Sequence, residues 1–387
     1  MDRHRGVFLG RGRGGDTADL REHNLAIVLR YLRDYGPSSR ARIAEWSGLG
    51  LSTLTGMIAE LKELELVSED LAATQAHVGR PTHSVFLAGG RLVVAGLRLD
   101  VDGVQARTAT VAGDHLGQYS DRLDLVRAQP ELVAEALATA IDWVLESVDA
   151  PRTLVAIEIA SGWPGEHDLV PDVAARLAAA GRADITLGAA SVSSCSALAI
   201  VRSDTKGLFV DRRAVYIGGE RSLVGGIIVD GEPLDLRGSR AADFARIPSA
   251  LPGGGRETLA DVVSLPSLLA AAGIRSRGDA EIYAHAHPRD ARAALLAALG
   301  EGDPRAVDAV THAAGVLSGA IDAIVAVLGA DVVVLDGYLA ALGAWLVPAM
   351  DARVQVVVAA PLASRAVDGA VFAARDAVLA QPSRLRA

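Results

Sequence analysis

The chain has 387 residues, half of them hydrophobic, which is enough for two or three domains with sizeable cores. No uncharged apolar run reaches the ~18 residues of a membrane-spanning helix, and the N-terminal stretch lacks the apolar segment of a signal peptide. Cys195 is the only cysteine, which excludes a disulfide within the chain and a thiolate-rich zinc site. These features predict a cytoplasmic protein that does not enter a membrane.

The net charge of −9 is unevenly distributed along the chain. Residues 1–90 contain 11 Lys/Arg and 11 Asp/Glu, whereas the remaining residues contain 27 basic and 36 acidic ones. A neutral N-terminal part on an acidic body does not indicate nucleic-acid binding by bulk charge. Any DNA contact therefore has to come from the local placement of residues.

The N-terminal part carries a helix-turn-helix pattern. Residues 1–23 predict a flexible tail, and residues 24–36 predict a helix from the spacing of Leu25, Val28, Leu29 and Leu32. The next segment, "SSRARIAEWSGLGLSTLTGMIAELKELELV", divides into two short helices joined by the glycine turn "SGLG". Two helices joined in this way after an earlier helix are typical of DNA-binding proteins, although a plain three-helix bundle has the same pattern.

The second of these helices and the segment after it supply the candidate DNA contacts. The helix would present Ser52, Thr53, Thr55 and Lys62 to a major groove. The following "LVSEDLAATQAHVGRPTHSVFLAGG" predicts strand, loop and strand, which is the form of a wing. Arg80 lies in its loop beside a stiffening proline, and such an arginine suits a narrow minor groove, unless it is only a solvated loop residue.

From residue 89 onward, strands alternate with alanine-rich helices, which indicates an α/β architecture. "RLVVAGLRLD" and "GVQARTATVAG" predict paired strands, and "RRAVYIGGERSLVGGIIVDGEPL" predicts a strand hairpin. "PELVAEALATAIDWVLESV" predicts an amphipathic helix that begins at a proline. Near the end of the chain, "ADVVVLDGYLAAL" and "VQVVVAAP" each contain a strand.

Residues 24–387 resemble a transcriptional regulator of the ROK family (repressor, open reading frame, kinase). The segments that carry the resemblance are "GPSSRARIAEWSGLGLSTLTGMIAEL", "VGRPTHSVFL", "VYIGGERSLVGGIIVDGEPL" and "VVVLDGYLAALGAWLVPAM". The resemblance implies a winged helix-turn-helix at 24–88, joined to a two-lobed α/β body at 89–387 with the actin-like ATPase fold of sugar kinases. Lobe one would comprise residues 89–205 plus the C-terminal helix, and lobe two residues 206–370.

Against the motifs of the family's kinases, the chain lacks the groups that carry phosphotransfer. The D-x-G-G-T phosphate loop is replaced by "LRLDVDGVQA", which keeps Asp100 but lacks the glycine pair that lets backbone N–H groups cradle phosphate. The Asn-Asp pair that contains the family's general base falls on about Ser191 and Val192, in a segment without any acid. The second phosphate motif becomes "GGERSLVGGI", in which Glu220 adds negative charge. The resemblance thus implies a protein that is not an enzyme.

The family's ligand and metal motifs are altered as well. E-x-G-H becomes "DFAR", which places Asp243 and Arg246 at the acid and histidine positions, and the zinc motif becomes "ALPGGGRETLADV" without a thiol. We therefore expect no metal and no cofactor. The ligand-lining positions that carry over are Pro164, Gly165, Asp243, Arg246 and Asp261, although Asp261 also fits a helix start. Arg246 would either read an anionic ligand or form a structural ion pair with Asp243.

Three functions remain open at this stage. The first is a DNA-binding regulator whose inactive body senses a sugar, an acidic sugar derivative or another small metabolite. The second is a ligand-independent regulator whose body only forms oligomers, and the third is an active sugar kinase. For the regulator, the expected partners are a double-stranded DNA operator and a second copy of the chain, in a homodimer or homotetramer.

Overall fold

Three units follow one another along the chain in the computed structural model: an N-terminal unit of helices with a small sheet, and two α/β lobes. The structure describes residues 17–71, 83–100, 102–123, 125, 128–162, 169–204, 208–209, 212–220, 223–234, 244–248, 257–360 and 365–386.

The N-terminal unit contains the predicted helices and the predicted strand pair. Its elements are helices α1 (Thr17–Tyr35), α2 (Arg40–Ser47) and α3 (Leu51–Glu63) and strands β1 (Ser38–Ser39), β2 (Val67–Leu71) and β3 (His83–Leu87), the strands pairing antiparallel in the order β1-β3-β2. Ser39 caps α2 by accepting a hydrogen bond from the Arg42 amide. Gly48 ends α2 in the left-handed conformation, with φ 70°, that glycine favours.

Helix α1 begins earlier than predicted. Residues 17–23 are helical rather than part of a flexible tail, which leaves residues 1–16 outside the described chain. The Arg21 guanidinium lies 2.6 Å from the carboxylate of buried Glu60 on α3. The Glu22 carboxylate accepts a hydrogen bond of 3.1 Å from the Ser383 amide. These contacts between polar residues distant in sequence stabilise the first turns, and apolar periodicity does not reveal them.

Lobe one is built on a sheet with strand order β6-β5-β4-β7-β8. Its elements are β4 (Leu92–Asp100), β5 (Gly103–Thr110), β6 (His115–Asp121), β7 (Thr153–Ser161), β8 (Thr186–Ser191), α4 (Pro130–Glu146), α5 (Leu169–Ala179) and α6 (Val192–Arg202). Strand β4 pairs antiparallel with β5 and parallel with β7, as the predicted hairpin and α/β pattern require. Helices α4 and α5 pack with one face of the sheet to form an apolar core.

Lobe two repeats this strand order as β11-β10-β9-β12-β13. Its elements are β9 (Arg213–Gly218), β10 (Val224–Val229), β11 (Glu232–Pro233), β12 (Val332–Leu335), β13 (Gln355–Val358), α7 (Leu259–Val263), α8 (Leu265–Ala271), α9 (Arg277–Ala286), α10 (Pro288–Gly300), α11 (Pro304–Leu328), α12 (Gly337–Ala341) and α13 (Gly343–Leu346). Helix α11 is long and apolar enough to cross a membrane. Its inward face, which includes Leu317 and Ile321, is buried in the core of lobe two, as in a core helix.

The last helix, α14 (Arg365–Ala380), returns to lobe one and packs on α6, β4 and β7. It begins at Arg365, so lobe two ends before the predicted boundary at 370. Glycine is required where α14 meets α6, since a Cβ on Gly369 would lie 1.7 Å from the carbonyl oxygen of Cys195. The predicted return of the C-terminal helix to lobe one is confirmed.

The N-terminal unit and lobe one share a continuous apolar core. Val28 and Leu29 of α1 belong to the same buried cluster as Ala374 and Val378 of α14. Because burial of apolar surface stabilises the elements that share it, this core holds α1 against lobe one.

Candidate functional site

The exposed face of α3 carries three of the predicted DNA-contacting residues. Ser52, Thr53 and Thr55 are all exposed, whereas the opposite face of the helix packs in the core through Leu54 and Ile58. The helix begins at Leu51, where Gly50 is its N-cap. Its N-terminal end is therefore the part of this surface that projects small hydroxyl side chains to solvent.

The hydroxyl groups on this face are not equally available. The Thr55 hydroxyl donates a 2.8 Å hydrogen bond to the Leu51 carbonyl and accepts one of 3.4 Å from Arg40. No such bond occupies the Ser52 or Thr53 hydroxyl within the residues described. Thr53 is thus better placed than Thr55 to bond a ligand.

Lys62, the fourth predicted DNA-contacting residue of α3, lies at the opposite end of the helix. Its ammonium is 3.3 Å from the Glu69 carboxylate, which also receives two hydrogen bonds of 2.7 and 2.8 Å from Arg40. Arg42, in the first turn of α2, is exposed and has no ion pair among the residues described, and no sequence pattern marks it as a DNA contact. Arg80 lies outside the described residues.

A cavity of about 690 Å³ lies between the two lobes, at the carboxyl ends of strands from both sheets. This is the edge at which open α/β sheets bind ligands. The described residues that line it include four arginines and four carboxylates: Arg98, Arg289, Arg292, Arg365, Asp100, Asp102, Glu220 and Asp336.

On the lobe-one side, an arginine lies where the sequence resemblance would place a phosphate loop. The buried Arg98 guanidinium lies 2.9 Å from Asp100 and 2.9 Å from Asp102. Burial lowers the pKa of Arg98, but the carboxylates of Asp102 and Asp100 outweigh burial and raise that pKa above its ordinary value. Arg98 is therefore a permanent cation whose charge is already compensated by two carboxylates.

Carboxylates on the lobe-two side are paired in the same way, one of them with an arginine of α14, which packs on lobe one. The Arg365 guanidinium is 2.9 Å from the buried carboxylate of Asp336, which also accepts a 3.2 Å hydrogen bond from the Tyr216 hydroxyl. Burial raises the pKa of Tyr216 well above its ordinary value, and the Asp336 charge raises it further. Glu220, in the turn after β9, lies 3.3 Å from Arg292 of α10. Each carboxylate on the cavity wall thus faces an arginine.

Where the sequence resemblance would place a general base, the described cavity wall carries no acid. Ser191 caps α6, because its hydroxyl accepts a hydrogen bond from the Ser194 amide. Val192 follows it and lines the cavity with an apolar side chain. Among the described residues, no three His, Cys, Asp or Glu side chains are grouped so that they could hold a metal ion.

Two of the predicted ligand-lining residues lie outside the described wall of the interlobe cavity. Arg246 is exposed on a short 3-10 helix, Phe244–Arg246, and does not line the cavity, because Phe244 packs against Gly225 and leaves Arg246 on the outer surface. Asp261 is likewise exposed and acts as a helix-start residue: it accepts hydrogen bonds from the Thr258 amide (2.9 Å) and hydroxyl (2.8 Å). Pro164, Gly165 and Asp243 lie outside the described residues.

An ion-pair cluster joins the N-terminal unit to both lobes. The Arg33 guanidinium of α1, nearly inaccessible to solvent, lies 2.9 Å from Asp376 of α14 and 2.8 Å from Glu232 of β11. Arg202 of α6 contacts the same two carboxylates, each at 2.7 Å. Glu232 belongs to the edge strand of lobe two, whereas Asp376 packs with lobe one, so Arg33 contacts both lobes.

Comparisons with solved structures identify the fold of the whole chain. No protein-family model matches the sequence, and none of the curated proteins compared with it matches. A ROK-family transcriptional regulator, a homologue of the E. coli MLC protein, has a TM-score of 0.73 and 18% identity, with 95% of this chain and 100% of that chain covered.

Two sugar kinases match the body. The ROK-family glucokinase from Streptomyces griseus, in complex with glucose and AMPPNP, has a TM-score of 0.55 and 16% identity, covering 73% of this chain and 99% of its own. The ROK hexokinase from Thermus thermophilus has a TM-score of 0.55 and 22% identity, covering 74% and 99%. The chain therefore has the two-lobed, actin-like fold of ROK-family proteins, as the sequence resemblance predicted.

Proposed function

We propose that this protein is a DNA-binding transcriptional regulator whose sugar-kinase-like body lacks phosphotransfer activity and senses a small metabolite. The observation that carries the proposal is the N-terminal unit, in which α3 exposes small polar side chains and shares a core with lobe one. Coverage supports it: the regulator structure covers 95% of this chain, whereas the two kinases cover 73% and 74% while matching nearly their whole length.

In this proposal the N-terminal unit is a winged helix-turn-helix. Helix α3 enters the major groove with its N-terminal end, so Ser52 and Thr53 meet base edges or phosphates. Lys62 lies ten residues further along, or roughly 15 Å at 1.5 Å per residue, and contacts the backbone at most. Arg80, between β2 and β3, enters the adjacent minor groove. Such proteins bind two half-sites as dimers, and this one acts in the cytoplasm as a homodimer or homotetramer.

Loss of phosphotransfer is supported by the wall of the interlobe cavity. Val192 stands where a base would take the proton from a sugar hydroxyl. Arg98 and its two carboxylates occupy the side where a phosphate loop would present backbone N–H groups. Incubation with ATP, Mg²⁺ and a panel of sugars should give no product above a no-enzyme control. Turnover that is abolished by a substitution in the cavity would contradict this part of the proposal.

A ligand-independent regulator is the second candidate, and the same cavity favours it. Each carboxylate of the described wall already faces an arginine, so less unpaired charge remains to bind a metabolite. A thermal-shift screen of sugars and sugar acids separates the two candidates, since a ligand that binds the folded state raises the melting temperature by mass action. A screen without any shift would favour a body that only forms oligomers.

DNA binding is tested by sequencing the fragments that the purified protein selects from a random pool. The variant Thr53→Ala should then change base preference at one core position and weaken binding by roughly 1 kcal/mol, about fivefold. Thr55→Ala is the matched control, because its hydroxyl is already bonded to the Leu51 carbonyl. A wild type that enriches no sequence, or a Thr53→Ala variant that behaves like the control, would contradict the assigned role of α3.

A further inference from the structure

A second cavity of about 490 Å³ lies beside the interlobe cavity and is shaped by residues of both lobes. We call it the arginine pocket and define it by its polar lining: Arg107, Arg122, Arg289, Gln118, Ser120 and Asp368. Among the lining residues described for the two cavities, only Arg289 is common to both. Arg289 comes from α10 of lobe two, whereas the others lie on β5, β6, the segment after β6, and α14.

The charge of this pocket differs from that of the interlobe cavity. Its described lining has three arginines and one aspartate, whereas the interlobe cavity has equal numbers of arginines and carboxylates. Asp368 contacts Arg107, which leaves Arg122 and Arg289 without a carboxylate partner within the described chain. In a protein whose net charge is −9, two such guanidiniums in one concavity are not explained by a generally basic surface.

Hydrogen-bonding groups are available in the same place. The Arg107 guanidinium donates a 3.3 Å hydrogen bond to the Gln118 side-chain oxygen, but its Nε is buried without a partner. The side-chain oxygen of Gln105, which also lines the pocket, is buried and unpaired as well, but as an acceptor it can bond a water or hydroxyl group and not an oxyanion. Buried polar atoms without partners are uncommon in folded proteins, and a bound ligand or water is one of the usual reasons for them.

We propose that the arginine pocket is a second binding site, separate from the interlobe cavity, for a compact oxyanion with at least two negative charges. A phosphate monoester and a polycarboxylate share this chemistry, since a guanidinium presents a planar pair of donors that matches either group. The anion would join Arg122 of lobe one to Arg289 of lobe two. It would therefore favour the lobe arrangement in which these two side chains approach each other.

The experiment measures binding of inorganic phosphate and of citrate to the full chain by calorimetry at constant ionic strength, with glucose as the uncharged control. Arg122→Ala and Arg289→Ala test the pocket. Both residues are exposed, so both variants should fold without loss of stability. Arg292→Ala is the matched control, because Arg292 lies one turn from Arg289 on α10 but lines only the interlobe cavity. Arg353→Ala, with 90% of its side chain exposed, controls for a general loss of positive charge.

The expected result is saturable binding of at least one of the two anions, weakened at least tenfold in Arg122→Ala and in Arg289→Ala. Binding to Arg292→Ala and Arg353→Ala should stay within about twofold of the wild type. Absence of saturable binding at millimolar concentrations of both anions would overturn the inference. So would a loss of binding in Arg292→Ala without a loss in Arg122→Ala, which would place the anion in the interlobe cavity. The assay contains no DNA, so its outcome is independent of the proposed regulatory function.

Discussion

Replacing Arg98 with methionine tests whether Arg98, Asp100 and Asp102 form a structural ion-pair site. Arg98 and Asp100 are both buried, and the guanidinium lies 2.9 Å from each of Asp100 and Asp102. Removing one partner of a buried ion pair costs about 3–5 kcal/mol, because the other charge stays out of water without compensation. The Asp102 side chain is 27% exposed and can hydrate, so we expect the lower end, about 3 kcal/mol.

The measurement is urea unfolding of the wild type, Arg98→Met, Asp100→Asn and the double variant. The double variant should recover at least about 1 kcal/mol relative to the sum of the single losses, since neighbouring partners are not additive. A loss of unfolding free energy below about 1 kcal/mol in Arg98→Met would show that the ion pairs do not stabilise the β4–β5 hairpin. A rise in the wild-type melting temperature with ATP that Arg98→Met abolishes would refute the reasoning differently, by showing that Arg98 binds phosphate.

Three further predictions concern the N-terminal unit. Leu29→Ala should lower the free energy of unfolding by about 2–5 kcal/mol and lower the unfolding midpoints of the N-terminal unit and lobe one together. Leu20→Ala, on the exposed side of α1, should lower it by less than about 0.5 kcal/mol in the same denaturation assay. Burial raises the pKa of Glu69, but hydrogen bonds from Arg40 outweigh burial and hold that pKa below its usual range. The stabilisation that the charged Glu69 gives the folded state is therefore fully present above the unfolded pKa of about 4.3 and is lost as the pH falls through the lower folded pKa. The stability difference between wild type and Glu69→Gln, measured by urea unfolding, should accordingly shrink in acid. Arg80→Ala should weaken binding to selected DNA and reduce any A·T preference beside the core site, and unchanged affinity in a gel-shift titration would make this arginine a solvated loop residue.

The elements that the sequence predicts well are those with strong local signals. Helix α3 lies where the glycine turn and the spacing of Leu54, Ile58 and Leu61 place it. The hairpin β9–β10 follows from two apolar runs around a glycine-containing turn. Strand β6 was not predicted, because "HLGQYSD" is mostly polar and becomes a strand only by pairing with β5. The first turns of α1 were missed for the same reason, since their partners lie far along the chain.

The sequence predicts those features of the candidate site that depend on the type of a single residue. It does not predict the ion pairs, whose partners are brought together only by the fold. Val192 lines the cavity, so the apolar residue that the sequence has there belongs to the cavity wall. The pair of Arg365 and Asp336 joins residues 29 positions apart, and only the return of α14 to lobe one brings them together. An isolated aspartate directly after the apolar strand "VVVL" was nevertheless a signal for Asp336. Arg246 lies outside the described cavity wall, because the motif fixes its position in the chain but not the direction of its side chain.

The geometry at Arg33 connects a change between the lobes to the N-terminal unit. Helix α1 shares its core with lobe one, and Asp376 lies on α14, which packs on the same lobe, so the Arg33–Asp376 pair does not depend on the position of lobe two. The Arg33–Glu232 pair crosses to lobe two, and Glu232 is about half exposed. Glu232 can hydrate when it is released and Arg33 keeps Asp376 as a partner, so losing this pair costs less than the about 3–5 kcal/mol of leaving a buried charge without any partner. A ligand with a few kcal/mol of differential affinity between two lobe arrangements would therefore be sufficient to release this contact of α1 without disturbing the core that attaches α1 to lobe one.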